Sequence, residues 1–224
     1  TVSEWSKKDI LKFFPIEENK VFVTPLAADL KYKPIDRQWC RYMLEKKMNI
    51  KKPFILYIGG FSPRKNVRSL IMAFSKVYKD LNKDYNLVIV GSLKDEGNCL
   101  KELSEKLGIS SHVIFTGFVE EDLLPIPYNG AELFVYPSFY EGFGLPPLEA
   151  MSCGTPVLSS NVSSIPEVVG DAGILIDPYD TSNLMESLAK ILNNEELKKQ
   201  LSIAGLKRAS QYSWQKTAKE ALKT

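Results

Sequence analysis

From about residue 54 onward, apolar residues fall in short unbroken runs instead of alternating with polar ones. The runs are 54–58 (FILYI), 87–90 (LVIV), 113–116 (VIFT), 133–136 (LFVY), 156–158 (PVL) and 173–176 (GILI). A strand with one wet face alternates apolar and polar side chains. A strand covered on both faces is apolar throughout, as in a parallel sheet flanked by helices. Between the runs the period changes. Residues 67–81 place Leu70, Ile71, Phe74, Val77 and Tyr78 on one stripe, and 95–107 and 181–192 repeat that spacing, which predicts helices. Gly108 predicts where the second of them stops. Strand and helix alternate, so the pattern predicts an α/β fold with a doubly wound, Rossmann-like parallel sheet.

The flanks have other patterns. Residues 1–34 predict one helix (6–14, capped by Ser3 or Ser6) and one strand (21–25). Residues 37–48 predict a helix, and Pro53 marks entry into the sheet. Residues 195–210 and 214–222 predict two more helices. Three blocks result: 1–34, a main domain over 35–210 with its alternating body at 50–193, and a terminal helix over 211–224. Internal repeats and low-complexity segments are absent from the sequence.

With 44% hydrophobic and 25% charged residues the composition is that of a soluble globular protein. Its 224 residues suffice for a core without disulfides or metals. Twenty-nine basic against 27 acidic residues is too balanced to indicate a nucleic-acid partner. Cys40, Cys99 and Cys153 are odd in number and widely spaced, without disulfide-framework or zinc-ligand spacing, which fits a reducing cytoplasm. His112 is the one histidine, which argues against a multi-His metal site and against a Ser-His-Asp triad. No apolar run approaches the roughly 20 residues that cross a bilayer. The chain starts at Thr1 without Met, which points to a piece of a longer protein.

Ligands of an open parallel sheet bind beyond the carboxyl ends of its strands. Three of those ends meet glycine here, at Gly59 and Gly60, at Gly91 and at Gly117. A fourth runs into Pro137-Ser-Phe-Tyr-Glu-Gly-Phe-Gly-Leu-Pro146. Glycine lets a ligand approach the backbone closely, and a helix start after it offers free N–H groups to an anion. Glycines after strands are also ordinary turn residues. The spacing Gly142-x-Gly144 is neither a G-x-G-x-x-G fingerprint nor a Walker A loop, which argues against NAD and ATP.

Two carboxylates flank that loop. With a helix starting near Leu145, Glu149 lies one turn inside it and Glu141 lies before its N-terminus, on the order of 10 Å apart. That is too far for a shared proton and suits two hydroxyl-bearing groups on either side of one diphosphate. The alternative makes Glu149 a surface or capping carboxylate and Glu141 a partner of the helix dipole. Arg64 and Lys65 come after the first strand and precede Asn66, a candidate cap for the helix at Val67. They are placed to clamp phosphates or to face solvent.

Together these residues resemble the glycosyl transferases of group 1, a retaining family of GT-B fold, over nearly the whole chain. Glu141-Gly-Phe-Gly-Leu-Pro-Pro-Leu-Glu149 resembles the family's E-x7-E motif. Ala150-Met-Ser-Cys-Gly-Thr-Pro-Val157, Ser160-Asn-Val-Ser-Ser-Ile-Pro-Glu167, Gly170-Asp-Ala-Gly173 and Asp177-Pro178 resemble the family's stretches on the carboxyl-terminal side of that motif. Tyr57-Ile-Gly-Gly-Phe-Ser-Pro-Arg-Lys-Asn66 is similar to the phosphate-binding first loop, and Phe115-Thr-Gly-Phe-Val119 to the base-binding turn. The resemblance implies that Glu149 holds ribose hydroxyls and Glu141 hydroxyls of the transferred sugar. It implies that backbone amides of Gly142, Phe143, Gly144 and Leu145 serve the sugar and diphosphate. It makes Lys65 the counter-charge of the leaving diphosphate, with Gly59 and Gly60 shaping the first loop, and it has Val119 meet the base through its backbone.

Family members often carry Arg after the first loop glycine, where this chain has Gly60, and Arg64 stands in as second cation. The Pro-Arg-Lys-Asn variant resembles a subgroup of mannosyltransferases, which implies GDP-mannose as donor. Glu120 or Glu121 is placed to accept guanine N–H groups or to face solvent. The resemblance further implies that this chain is the C-terminal half of the fold and that an N-terminal acceptor-binding domain is missing. In that account residues 1–34 end the first domain and form the hinge, and the last helix crosses back. Peripheral membrane contact, at the inner face of the membrane, would come through the missing domain. No D-x-D pair occurs, so the expectation involves no metal and no cofactor. Two other classes stay open. One is a nucleotide-sugar epimerase of the same fold, which would not need Glu141 and Glu149 so arranged. The other is a non-catalytic nucleotide-sugar-binding module.

Overall fold

A computed structural model describes residues 1–93 and 95–223. Six strands form one sheet: β1 (Phe54–Ile58), β2 (Asn86–Val90), β3 (Val113–Gly117), β4 (Leu133–Tyr136), β5 (Val157–Ser160) and β6 (Ile174–Ile176). Their order is β3-β2-β1-β4-β5-β6, with every pair parallel. β1, β2, β4 and β5 are buried at every position, and only the two edge strands are partly open. That is the burial which unbroken apolar runs demand.

Ten helices accompany the sheet among the described residues: α1 (Glu4–Phe13), α2 (Arg37–Met48), α3 (Val67–Val77), α4 (Asp95–Lys106), α5 (Pro125–Gly130), α6 (Leu145–Ser152), α7 (Ile165–Val169), α8 (Thr181–Leu192), α9 (Glu195–Ala209) and α10 (Trp214–Ala221). The chain winds outward from β1 to β3, then returns to β4 and winds outward the other way. Right-handed crossovers therefore put α3 and α4 on one face and α6 and α7 on the other. α8 packs on α3, and α9 packs on α6. Of the stripe expected there, Leu70, Ile71 and Phe74 are wholly inaccessible, Val77 is buried, and Tyr78, just beyond α3, is partly buried. β1 and β4 are neighbours although far apart in the chain. The winding reverses between β1 and β4, and in open parallel sheets ligands bind beyond the carboxyl ends of the strands at such a point.

Most predicted boundaries agree with the structure to within a residue. The helix expected over 67–81 stops at Val77 and continues as a 3-10 turn, Tyr78–Asp80. The strand expected over 21–25 does not form. The segment is extended, but apart from a local turn bond from Val21 N–H to Glu18 O (3.1 Å) its described backbone-to-backbone bonds go to Thr1: the Thr1 ammonium donates to Phe22 O (2.8 Å) and Thr24 N–H to Thr1 O (2.8 Å). One residue makes no ladder. The block expected over 211–224 contains α10, and its last residue lies outside the described residues. The three cysteines are free thiols, two of them buried.

A buried charge network ties the lower edge of the sheet to the outer helices. Glu132, 5% exposed, accepts from Arg41 of α2 (2.5 Å) and from Lys198 of α9 (2.7 Å). Arg37 lies 3.6 Å from the same carboxylate. Burial works against the charge on Glu132. The Lys198 hydrogen bond and the two guanidinium groups outweigh it and hold the carboxyl at about 2.

Candidate functional site

The loop after β1 brings up the cations. Gly59 sits at φ +154°, where a side chain would press on the Tyr57 hydroxyl, and that hydroxyl donates to Gly60 O (2.6 Å). Residues Pro63–Lys65 form a 3-10 turn that aims Arg64 and Lys65 toward the loop after β4. Asn66, the candidate cap, has no capping bond to α3. It adopts the left-handed conformation (φ 55°), and its side-chain amide donates instead to Pro137 O (3.1 Å) and Pro178 O (3.0 Å). It fastens the cation loop to the loops after β4 and β6.

Lys65 Nζ donates to Glu141 Oε1 (2.6 Å) and to the Tyr136 hydroxyl (2.5 Å), and lies 5.0 Å from the centre of the Tyr136 ring. Arg64 Nη1 donates to Glu141 Oε2 (3.1 Å) and to Tyr140 O (2.8 Å). The two cations expected at the diphosphate and the carboxylate expected at the transferred sugar thus form one contact cluster. Burial opposes the charge on Glu141, but Lys65 and Arg64 prevail and hold its carboxyl below the usual range. Burial lowers Lys65 against the support of Glu141. The Tyr136 phenol is pushed far up by burial, with Glu141 adding to the effect, and stays neutral.

The loop between β4 and α6 is held rigidly. Ser163 Oγ accepts from Glu141 N–H (3.0 Å), and Ser164 Oγ donates to Glu141 O (2.8 Å) and Phe143 O (2.9 Å). Phe143 is buried and meets Tyr212 edge-on (5.9 Å), so its side chain anchors the loop. Gly144 caps α6 at φ +115°, and a Cβ there would stand 2.8 Å from Ile165. Pro146 and Pro147 carry no N–H, and Leu148 N–H bonds to Gly144 O (3.3 Å). The donors that this helix start presents are therefore the Gly144 and Leu145 amides. A partial positive charge accompanies them.

Glu149 lies one turn inside α6 and is neither a surface carboxylate nor a cap. Its Oε2 accepts from the Tyr128 hydroxyl (2.8 Å), and burial raises its carboxyl above the usual range. Tyr32, from the segment before α2, stands edge-on to Tyr128 (5.6 Å). At the end of β3, Gly117 (φ +74°) turns the chain, Val119 is buried and Phe118 is 71% exposed. Glu121 and Asp122 bind Lys31 (2.8 and 3.2 Å). Val119 has no described contact with the Lys65 cluster.

Two contributions were missed from sequence. Tyr136 ends β4 and Tyr57 is next to last in β1, and both read there as core; their signal is a hydroxyl-tipped ring near a carboxyl end. The other is α1, which rests on the glycine loop. Ser3 and Ser6 hydroxyls donate to Gly142 O (2.7 and 3.0 Å). The Glu167 carboxylate accepts the Glu4 and Trp5 amides (2.8 and 2.6 Å), and Tyr140 bonds Asp9.

Comparison with known proteins adds sequence and fold relatives. The profile of the family described as glycosyl transferases group 1 matches residues 43–208. The chain is 38% identical over 215 residues to the O-antigen chain mannosyltransferase B of Escherichia coli, a match that takes in 96% of this chain and 56% of that protein. The fold is shared, at TM-score 0.88 and 19% identity, with Anabaena Alr3699/HepE in complex with UDP and glucose, over 99% of this chain and 61% of that one. It is shared at TM-score 0.69 and 23% identity with the C-terminal domain of a glycosyl transferase group 1 family protein, LpcC, from Francisella tularensis, over 80% of this chain and 94% of that domain. The chain spans about half the length of the curated relatives it matches, and under a third of some.

Proposed function

Because the chain belongs to the glycosyl transferases of group 1, we propose that it is the nucleotide-sugar-binding part of a hexosyltransferase. In this reading it is the C-terminal half of a two-domain GT-B protein whose other domain binds the acceptor. The observation that carries the reading is the cluster of Lys65, Arg64 and Glu141 at the reversal between β1 and β4, beside the Gly144 and Leu145 amides. The likeness to a solved C-terminal domain supports the placement.

The donor lies along α6. Ribose hydroxyls donate to Glu149, and the base lies at Val119. The diphosphate meets the Gly144 and Leu145 amides and the two cations, and the transferred sugar meets Glu141 and the exposed Gly142. Cleavage of the bond between the anomeric carbon and the phosphate oxygen leaves negative charge on the diphosphate. Lys65, Arg64 and the start of α6 stabilise that charge, the kind of contribution that dominates most enzymatic rate enhancements. Configuration is retained, and the donor is GDP-mannose. The mannosyltransferase relative supports the sugar; the Pro-Arg-Lys-Asn loop supports the subgroup. The reaction takes place in the cytoplasm. Among the described residues no helix is long and apolar enough to cross a membrane.

Calorimetric titration of this chain with GDP, UDP, ADP and their sugars, beside Glu149→Ala, tests the proposal. One nucleotide is expected to bind weakly but saturably, and the variant is expected to lose about tenfold or more, the worth of a hydrogen bond to a charged group. No saturable binding by this chain, or equal binding by the variant, would overturn the assignment. The chain alone is expected to transfer little or no sugar, and ready transfer to an added acceptor would contradict the division of labour.

A further inference from the structure

Both oxygens of Glu141 are already in use. Oε1 takes Lys65, Oε2 takes Arg64, and little of the carboxylate is open to solvent. The same carboxylate is the one that the proposed function needs for hydroxyls of the transferred sugar, and the same cations are the ones it needs for phosphate. An ionised carboxylate only accepts, and its two oxygens cannot serve two cations and a sugar equally well at once.

We propose that Glu141 and the diphosphate of a bound nucleotide sugar compete for Lys65 and Arg64, so that arrival of the phosphates frees the Glu141 carboxylate for the sugar. This rests on the donor-site reading above. A diphosphate brings more negative charge and more acceptor oxygens than one carboxylate, and it meets the Gly144 and Leu145 amides as well. The exchange asks only a side chain to turn. The Glu141 backbone is fixed from both sides by Ser163 and Ser164. Lys65 keeps the Tyr136 hydroxyl and ring through the exchange, so it is never without a partner. Arg64, whose side chain is half exposed, has room to reach outward. A sugar arriving alone finds the carboxylate occupied, whereas a sugar arriving with the diphosphate finds it free. The site thereby favours the intact donor over its separate parts.

The test uses this chain and free ligands. GDP, UDP and ADP are titrated singly. Mannose, glucose and galactose are then titrated by NMR with and without the nucleotide that binds. At least one monosaccharide is expected to bind about fivefold tighter or more in the presence of nucleotide, a coupling that must be reciprocal. Glu141→Gln, which removes the competing charge, is expected to bind the nucleoside diphosphate several-fold more tightly than wild type and to lose the coupling. Absence of any nucleotide-dependent gain for the three sugars overturns the exchange. So does weaker diphosphate binding by a Glu141→Gln chain that unfolds at the wild-type temperature. Should that variant not fold, the coupling in the wild-type chain decides alone. Failure of all three nucleotides to bind overturns the exchange and the donor-site reading together, whereas nucleotide binding without coupling overturns the exchange only.

Discussion

At the scale of single residues the site is a set of groups held against their preference. Burial raises the Glu149 carboxyl above its usual range despite the Tyr128 hydroxyl that supports its charge. A folded-state value above the unfolded one means that stability is fullest at acid pH and declines as pH rises through the raised value. Glu149→Gln is therefore expected to melt higher than wild type at pH 8, by about 2–4 °C for each kcal/mol relieved in a chain of this size. The advantage should vanish near pH 4, where Glu149 is protonated, and the nucleotide affinity should fall at both pH values. Melting curves at the two pH values decide it; a wild-type chain that melts higher at pH 8 would sink the account. Lys65, Glu141 and Glu149 were legible because motif spacing marks them. Tyr136 was not, because a tyrosine inside an apolar strand looks the same whether its hydroxyl meets a lysine or a backbone carbonyl.

At the scale of elements, the start of α6 is where the proposed function puts the diphosphate. Its position was legible from glycine followed by apolar residues, and α6 does begin at Leu145. What the pattern did not convey is how the start is held. Gly144→Ala puts a Cβ against Ile165 at a left-handed φ, and strain of that kind costs on the order of 1–3 kcal/mol. The variant is expected to melt lower and to bind nucleotide more weakly, since the Gly144 and Leu145 amides move together. A variant with unaltered melting and binding would show that this φ is not required. Asn66 makes the complementary case. Its neighbourhood predicted a helix cap, yet its side chain spans two loops distant in sequence. Asn66→Gly keeps the left-handed backbone and loses both bonds, so a fall in melting temperature beyond the roughly 0.4–1 kcal/mol that glycine's added freedom in the unfolded chain costs reports the fastening. The cost expected is about 1–3 kcal/mol for buried acceptors left unpaired. The missing strand at 21–25 obeys the same logic: an apolar stretch reveals strand tendency but not whether a partner lies alongside.

At the scale of the whole molecule, alternation of apolar runs and helical stripes was enough for a doubly wound α/β fold. Contacts between distant segments leave no periodicity and were invisible. The Glu132 network is one of them, joining α2, α9 and the edge of β4. Its depressed carboxyl contributes stability that is present above the ordinary glutamate value and lost as pH falls toward about 2. The amount is about 3 kcal/mol. Glu132→Gln, which leaves buried Lys198 with the exposed Glu195 carboxylate as its remaining counter-charge, is expected to cost about 3 kcal/mol at pH 6. The gap to wild type should narrow toward pH 2. Denaturant titrations across that range measure it, and a gap constant with pH would show that the carboxylate charge is not what counts.

The contact of α1 with the glycine loop has a consequence for how the chain is made. Glu4 and the Glu167 carboxylate that receives its amide are 163 positions apart. At about 5–20 residues per second of synthesis, the helix leaves the ribosome roughly 10–30 s before its receptor does. During that interval the seat that α1 occupies in the finished fold does not yet exist. A helix made well ahead of the sheet is thus seated after most of it, and its first amides find their acceptor only once Glu167 has emerged.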